Sequence, residues 1–136
     1  MDGRSFYPTI GDIIALHAQV MERTGAVPTH PRSEAQLEAA LMSAQMAAHY
    51  KEADLVSQAV ILAVDIFQAQ AFTEGNKRST FAAVDVFLLL NGLHLKGKGV
   101  DLAKHVERIA PEFTQRYSAV ADFEDWLRGH VIDVDP

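Results

Sequence analysis

One short segment, residues 72–78, combines residue types that bind phosphate. It reads Phe-Thr-Glu-Gly-Asn-Lys-Arg. Gly75 permits a backbone turn that a side chain would block, and the amides of a helix starting just after it would have no partners inside that helix. Those amides, the positive end of the helix dipole and the side chains of Lys77 and Arg78 would together attract an anion. The segment therefore predicts a phosphate site at a helix N-terminus.

The other side chains of this segment have separate expected roles. Glu74 would put a carboxylate beside the phosphates, where a magnesium ion could bridge the two. Phe72 would anchor the loop in the core, and Asn76 would orient either a phosphate oxygen or the loop itself. Thr73 belongs to the same predicted phosphate-binding stretch. From the residues alone, an ordinary turn followed by a solvated helix start also stays open, although positive charge there opposes the dipole.

The elements that must position this loop are helical, because almost every apolar periodicity in the chain has helical spacing. Helices are predicted over about Thr9–Arg23, from a Ser33 cap to near His49, and from Leu55 to Gln70. On the third helix Gln70 falls on the core-facing stripe. The opposite, solvent-facing side is expected to carry Gln58, Asp65 and Gln68.

The chain after the loop also predicts helices. Residues 79–90 are apolar on nearly every side, as in a central buried helix, and Asn91-Gly92 would end it. A buried Asp85 would need a structural partner. A basic, glycine-rich connection over 93–99 is expected to precede helices over 100–109 and about 119–130, separated by Pro111 and with Asp122 near the last cap. The predicted fold class is all-α, with about six helices.

Length and composition limit the class of protein. The 136 residues fit one domain, 1–136, and the absence of cysteine excludes disulfides and thiolate metal sites. A net charge of −6 argues against binding nucleic acid by phosphate neutralisation. No signal peptide is evident, and the apolar stretches are too short to cross a bilayer. A cytoplasmic protein without direct nucleic-acid or membrane contact is expected.

The segment Phe72–Arg78 resembles the core motif of the Fic/Doc family, and its lysine version is similar to that of the Doc, or death-on-curing, toxins. Ile13–His17 and Phe87–Gly92 also match the family's pattern, so the resemblance spans roughly residues 9–127. It implies a compact Fic/Doc-type helical domain whose motif loop leads into a central buried helix. It also implies a transferase that uses ATP or another NTP with Mg²⁺. A Phd-like antitoxin and a target such as elongation factor Tu are the partners that it implies.

Gln70 departs from the family's pattern. Family members normally carry histidine two residues before the motif phenylalanine, where it acts as general base. A glutamine amide cannot take a proton near neutral pH, and losing a general base removes a factor of about 10² to 10⁴ in rate. The resemblance thus implies an impaired catalytic set of Gln70, Glu74, Lys77 and Arg78. A natural loss of activity, another catalytic route and a deliberately altered chain all stay open.

Three further expectations come from the resemblance, and a fourth comes from the position of His17 on an apolar stripe. Members that transfer AMP usually carry another arginine where this chain has Phe81, so the resemblance implies the Doc orientation and phosphoryl transfer to a serine or threonine. No self-inhibiting segment is evident, so inhibition is expected from another chain. His49, Tyr50 and Lys51 are expected to form the flap that positions the target. His17 is either a replacement base or, as is commoner for a lone histidine on an apolar stripe, a packed core residue.

Two functional hypotheses follow. The first is a Doc-like, nucleotide-dependent protein-modifying transferase, weakened by Gln70. The second is a catalytically silent module with the same fold that binds an antitoxin, a nucleotide or a target protein. Gln70 favours the second.

Overall fold

A computed structural model of the protein describes residues 5–27, 31–72, 74–96, 99–109 and 116–134. These ranges contain six α-helices and one two-stranded sheet, which confirms the predicted all-α class. The elements in chain order are α1 Ile10–Arg23, α2 Glu34–Lys51, α3 Leu55–Ala69, α4 Asn76–Leu90, β1 Leu93–Leu95, α5 Gly99–Ile109, α6 Arg116–Arg128 and β2 Val131–Asp133. Of the helices within these ranges, none is both long enough and apolar enough to span a bilayer.

Side-chain caps explain where the first three helices begin. Thr9 and Asp12 form a reciprocal capping box at α1. Ser33 accepts from Gln36 N at 3.3 Å at α2, as predicted, and Asp54 accepts from Ser57 N at 2.9 Å at α3. Each cap satisfies an amide that the helix cannot satisfy itself.

The core lies around α3 and α4. Helix α3 packs against α2, α4, α5 and α6, and α4 packs against α1, α3, α5 and β1. The central position of α4 is therefore confirmed, although its last residues, Leu89 and Leu90, are exposed. This arrangement fixes α3 and α4, the two helices that flank the predicted phosphate loop, so both ends of that loop are held in place.

Helix α2 is longer than predicted. It continues through His49, Tyr50 and Lys51. Glu52 caps it with a left-handed φ of 53° and donates its N–H to Ala47 O. The predicted polar link therefore contains only residues 52–54. Polarity near position 50 suggested a loop, but an exposed helix end is equally polar.

The C-terminal part differs from the prediction in two places. The connection predicted over residues 93–99 contains β1, which pairs with β2 in antiparallel orientation. Leu93 lies opposite Asp133, and Leu95 lies opposite Val131. Helix α6 begins at Arg116, so Asp122 lies inside it and pairs with Arg108 at 3.3 Å instead of capping the helix. Pro111 lies outside the described residues.

The prediction that Gln58 lies on the solvent-facing side of α3 is wrong. This side chain is buried, accepts a hydrogen bond from the Tyr7 hydroxyl at 2.5 Å and donates to Ala53 O at 2.9 Å. The segment before α1 covers this face, and helical periodicity cannot predict such a cover. Asp65 is partly buried, and Gln68 is exposed as expected.

Candidate phosphate-binding site

Helix α3 ends just before Gln70. Gln70 has a left-handed φ of 44°, and its N–H donates to Phe67 O at 3.2 Å. Its side-chain amide donates to the same carbonyl at 2.7 Å. The side chain is exposed, so the expectation of a core-facing Gln70 is wrong. The helical stripe cannot be extended to a residue whose backbone has left the helix.

Phe72 and His17 join the loop to α1. Phe72 is fully buried, as expected for a loop anchor, and its ring stacks on the His17 imidazole with centroids 3.6 Å apart. His17 Nε2 lies 2.8 Å from Glu74 O, and because a carbonyl only accepts, Nε2 must carry the proton and donate. His17 is itself buried. This geometry favours the packed core residue over the replacement base.

Asn76 orients the loop. Its Oδ1 accepts from Phe72 N at 3.2 Å, and its Nδ2 donates to Phe72 O at 2.7 Å and to Gln70 Oε1 at 3.3 Å. Of the two roles expected for this amide, the structure shows the second, in which the side chain holds the loop itself.

Gly75 makes the sharp turn into α4. Its φ is 78°, and a Cβ at this position would lie 2.9 Å from the sulfur of Met21. A side chain here would be strained by the left-handed φ and would require the Met21 side chain to shift. The first helical bond of α4 runs from Ser79 N to Gly75 O at 2.9 Å. The amides of residues 76–78 therefore precede the helical ladder, and within the described residues no side chain caps this helix.

A cleft of about 530 Å³ opens beside these amides. Its size suits a small organic ligand. One wall is formed by Val20, Met21 and Thr24 of α1 together with Phe67 and Gln70 at the end of α3. The other wall is formed by the predicted site residues Glu74, Gly75, Asn76, Lys77 and Arg78. Thr73 lies outside the described residues.

Lys77 has a partner that the sequence did not indicate. Its Nζ lies 2.6 Å from Glu107 Oε1 on α5, and both side chains are about half exposed. The carboxylate offsets the cost of a cation at the positive end of the α4 dipole. Arg78 is exposed and lines the cleft. Glu107 therefore competes with any anion for the charge on Lys77.

Arg32 supports the loop although nothing in the local sequence indicates this role. Its N–H donates to Ala71 O at 2.6 Å, and its guanidinium donates to Gln70 O at 2.5 Å and Phe72 O at 3.4 Å. The segment before α2 thus holds the backbone of the loop. Arg32 lies in a polar stretch with no local pattern that points to the loop, 38 residues further along the chain.

His49, Tyr50 and Lys51 lie away from the loop. They occupy the last turn of α2, next to the start of α3, whereas the loop follows the end of α3. The 15 residues of α3 separate the two places, or about 20 Å at the usual helical rise. The structure does not bring the predicted flap to the cleft, because these residues precede the start of α3 and the cleft lies at its other end.

Glu74 is the one carboxylate among the described residues that line the cleft. No group of three or more His, Cys, Asp or Glu side chains in the described part of the chain could enclose a metal ion. Mg²⁺ usually binds through one or two carboxylates, phosphate oxygens and water instead of an all-protein cage. The donor set therefore fits Mg²⁺ that arrives with a nucleotide.

Fold and loop together define a class: an all-helical protein whose central helix starts at a glycine turn, with uncapped amides beside a small cleft. The family model for the Fic/DOC family matches residues 7–88, which is more than half of the chain. The protein therefore belongs to the Fic/DOC family, a family of protein-modifying transferases. A search of curated proteins found no match.

Proposed function

We propose that the protein is a Doc-like transferase scaffold that binds ATP or another NTP with Mg²⁺ and directs its terminal phosphate to a serine or threonine hydroxyl of a protein target. The observation that carries this proposal is the Gly75 turn, which leaves the first amides of α4 uncapped beside a cleft that also contains Glu74, Lys77 and Arg78. Helix N-termini with added cations bind phosphate groups in many proteins.

Each side of the cleft has a proposed role. Thr73 and the residues from Gly75 to Arg78 would bind the phosphates, and Glu74 would hold Mg²⁺ together with phosphate oxygens. The ion would neutralise the negative charge that develops on the phosphate group during its transfer. The apolar wall around Phe67 would take the base.

The reaction would break the bond between the γ-phosphorus and the bridging oxygen while the target hydroxyl forms a new bond to phosphorus. The hydroxyl proton must then go to a base or to water. Gln70 stands where the family's base stands, but its amide cannot accept a proton, and it is already bonded to Phe67 O and Asn76. The proposed chemistry is therefore slow in this chain.

Regulation and target follow from the Doc resemblance. We propose a Phd-like antitoxin as the inhibitor and elongation factor Tu as the target. The alternative is a catalytically silent module that binds one of these proteins or a nucleotide. Two observations favour it: Gln70 replaces the base, and Lys77 is paired with Glu107.

One assay tests the proposal. The unaltered chain, Gln70→His and a matched Gln70→Asn control are each incubated separately with Mg²⁺, elongation factor Tu and ATP labelled at the α or the γ phosphate. The proposal expects γ label on the target with Gln70→His only, at a rate at least about 100-fold above the other two. Label from the α position would identify AMP transfer. If an active Doc toxin transfers label and none of the three chains does, the binding module replaces the transferase.

Nucleotide binding is measured separately by calorimetry with ATP and Mg²⁺. Binding without transfer by Gln70→His would support the silent module. Absence of both would overturn the phosphate site itself.

A further inference from the structure

Helix α2 carries a row of large apolar side chains that the protein leaves uncovered. Met42, Met46 and Tyr50 are 51%, 49% and 71% exposed. They are four residues apart and so form one stripe along the helix. Helix α2 packs mainly against α3, with fewer contacts to α1, and this stripe lies on its other side. Single exposed apolar residues are ordinary, but a contiguous row marks an interaction surface.

The stripe is graded in size and charge. Its N-terminal half continues through the small, exposed residues Ala35 and Ala39, whereas its C-terminal half ends in Tyr50. Acidic residues lie near the start of α2, with Glu34 in the first turn, and the basic His49 and Lys51 occupy the last turn. A second helix fits this surface if its own gradients run the opposite way.

We infer that the exposed stripe of α2 binds the same stripe of a second copy of this chain, with the two helices antiparallel about a two-fold axis. A closed two-fold interface uses one patch on both copies, so the patch must be complementary to itself. Antiparallel pairing meets this need because it sets the small, acidic start of each helix against the large, basic end of the other. The two helix dipoles then also oppose each other.

The register follows from the sizes of the side chains. If Met42 of one copy faces Met46 of the other, then Ala39 faces His49 and Glu38 faces Tyr50. Bulky side chains thus meet a small residue or a flexible one.

A groove beside α2 offers a place for the tyrosine. The groove has a volume of about 260 Å³ and is lined by Gln36, Ala39 and Ser43 of α2 and by α3 residues including Gln68. With about 100° per residue, Tyr50 lies on the same side of α2 as Ala39 and Ser43. The two-fold axis runs perpendicular to both helices, so rotation about it leaves this side of the second helix facing the same direction. Tyr50 of the second copy therefore falls over this groove.

The interface is small. One helix face offers less than the roughly 800 Å² per partner of a standard complex, so a weak, concentration-dependent dimer is expected, with Kd on the order of 10 to 100 µM. Sedimentation equilibrium of the full chain, at concentrations from about tenfold below to tenfold above this range, measures it. A monomer at every concentration would overturn the inference. The inference would also be overturned if the α2 face became protected from solvent only after another protein is added.

Two matched variants assign the dimer to this face. Met46→Glu places a charge in the centre of the stripe and should raise Kd by about tenfold or more. Leu89→Glu places the same charge on a similarly exposed apolar position of α4 and should leave Kd unchanged. Circular dichroism checks that both variants are folded. Equal effects of the two variants, or none from either, would contradict the assignment.

Cross-linking tests the orientation without relying on a disruptive variant. The chain contains no cysteine, so Met42→Cys and Met46→Cys each introduce a single thiol. In the proposed register a disulfide can join the two variants to each other, whereas identical positions are offset by about 6 Å along helices that are about 8 to 10 Å apart. That separation is too large for a disulfide. Rapid oxidation of the mixture and slow oxidation of each variant alone is the expected result. Equally rapid oxidation of each variant alone would overturn the antiparallel arrangement.

Discussion

The imidazole of His17 lies flat on the ring of Phe72, with the two planes 6° apart, and the same imidazole donates a hydrogen bond to the carbonyl of Glu74. One residue of α1 therefore supports both the buried anchor of the loop and the backbone next to the glycine turn. The stack restricts the ring, and the hydrogen bond fixes where the turn begins. Loop geometry in this protein depends on α1 as much as on the helices that flank the loop.

His17→Phe should keep the stack and lose the hydrogen bond. The Glu74 carbonyl would lose its donor, so we expect a loss of about 1 to 2 kcal/mol in the free energy of unfolding, together with weaker ATP binding. Urea denaturation and calorimetry measure the two effects. His94→Phe, at an exposed position of β1, is the control. Unchanged ATP affinity in His17→Phe would show that this hydrogen bond does not shape the site.

Gly75→Ala should weaken ATP binding severely and cost about 1 to 3 kcal/mol of stability, because alanine is strained at this left-handed φ and its Cβ would contact the sulfur of Met21. Gly25→Ala is a matched control: Gly25 has a φ of 75°, but nothing lies within 4 Å of a Cβ there. Met21→Ala removes the sulfur but also empties part of the core, so it costs about 2 to 5 kcal/mol itself. In that background Gly75→Ala should cost less than it does in the original chain. If Gly75→Ala behaves like Gly25→Ala in ATP binding, the close approach has no functional role.

Arg32→Ala should loosen the loop by releasing the carbonyls of Gln70 and Phe72. Since the side chain is exposed, stability should fall by only about 0.5 to 1.5 kcal/mol. ATP affinity should fall about 3- to 10-fold, because amides that are not held in place bind an anion less well. Arg23→Ala, at an exposed arginine in the last turn of α1, should change neither quantity to this extent. Equal effects from the two substitutions would mean that Arg32→Ala acts only through the loss of a positive charge.

Glu107→Gln should release Lys77 for the phosphates. The pair is exposed and so contributes little to stability, about 0.3 to 1 kcal/mol, and ATP affinity should rise about 2- to 5-fold at low salt. The gain should shrink at high salt. Asp122→Asn removes the same charge from a pair with Arg108 and should leave ATP affinity unchanged. A fall in affinity with Glu107→Gln would mean that the pair positions Lys77 productively.

The stability of the packing between α5 and α6 should depend on pH through His105. Burial lowers the pKa of His105, and the nearby Arg108 lowers this pKa further, against the opposing charges of Asp122 and Asp101. The ring packs on Phe123 and Trp126 of α6, with centroids 5.5 and 5.1 Å away. Below a pH of about 6.5 the unfolded chain takes up this proton before the folded protein does, so stability falls as the pH falls.

His105→Phe removes this effect. On lowering the pH from 7.5 to 5.5, the unfolding free energy of His105→Phe should rise relative to that of the original chain. Urea denaturation at the two pH values measures this shift, with His94→Phe as the reference for an exposed histidine. A difference that is independent of pH would show that His105 keeps an ordinary pKa.

Local features of the sequence predicted much of the fold and the composition of the site. Helical spacing predicted all six helices, and the Ser33 cap was correct because a cap acts over three residues. The glycine turn and the buried Phe72 followed from seven adjacent residues, and the family followed from these together with Ile13–His17 and Phe87–Gly92. The boundary at Lys51 was less accurate, because an exposed helix end and a loop have the same polarity. The last helix begins at Arg116, three residues before the predicted start.

Tertiary structure decided everything that depends on residues far apart in the chain. Gln70 is exposed because α3 ends before it, and Gln58 is buried because Tyr7 covers it. The pairing of β1 with β2, the hold of Arg32 on the loop and the contact of Lys77 with Glu107 each join distant segments. The sequence by itself determined which residues form the glycine turn before α4, since turn geometry and helix starts are local. Only the packing of α1, α5 and the segment before α2 decided how that loop is held. These contacts join segments that are far apart in the chain, so no local sequence pattern predicts them.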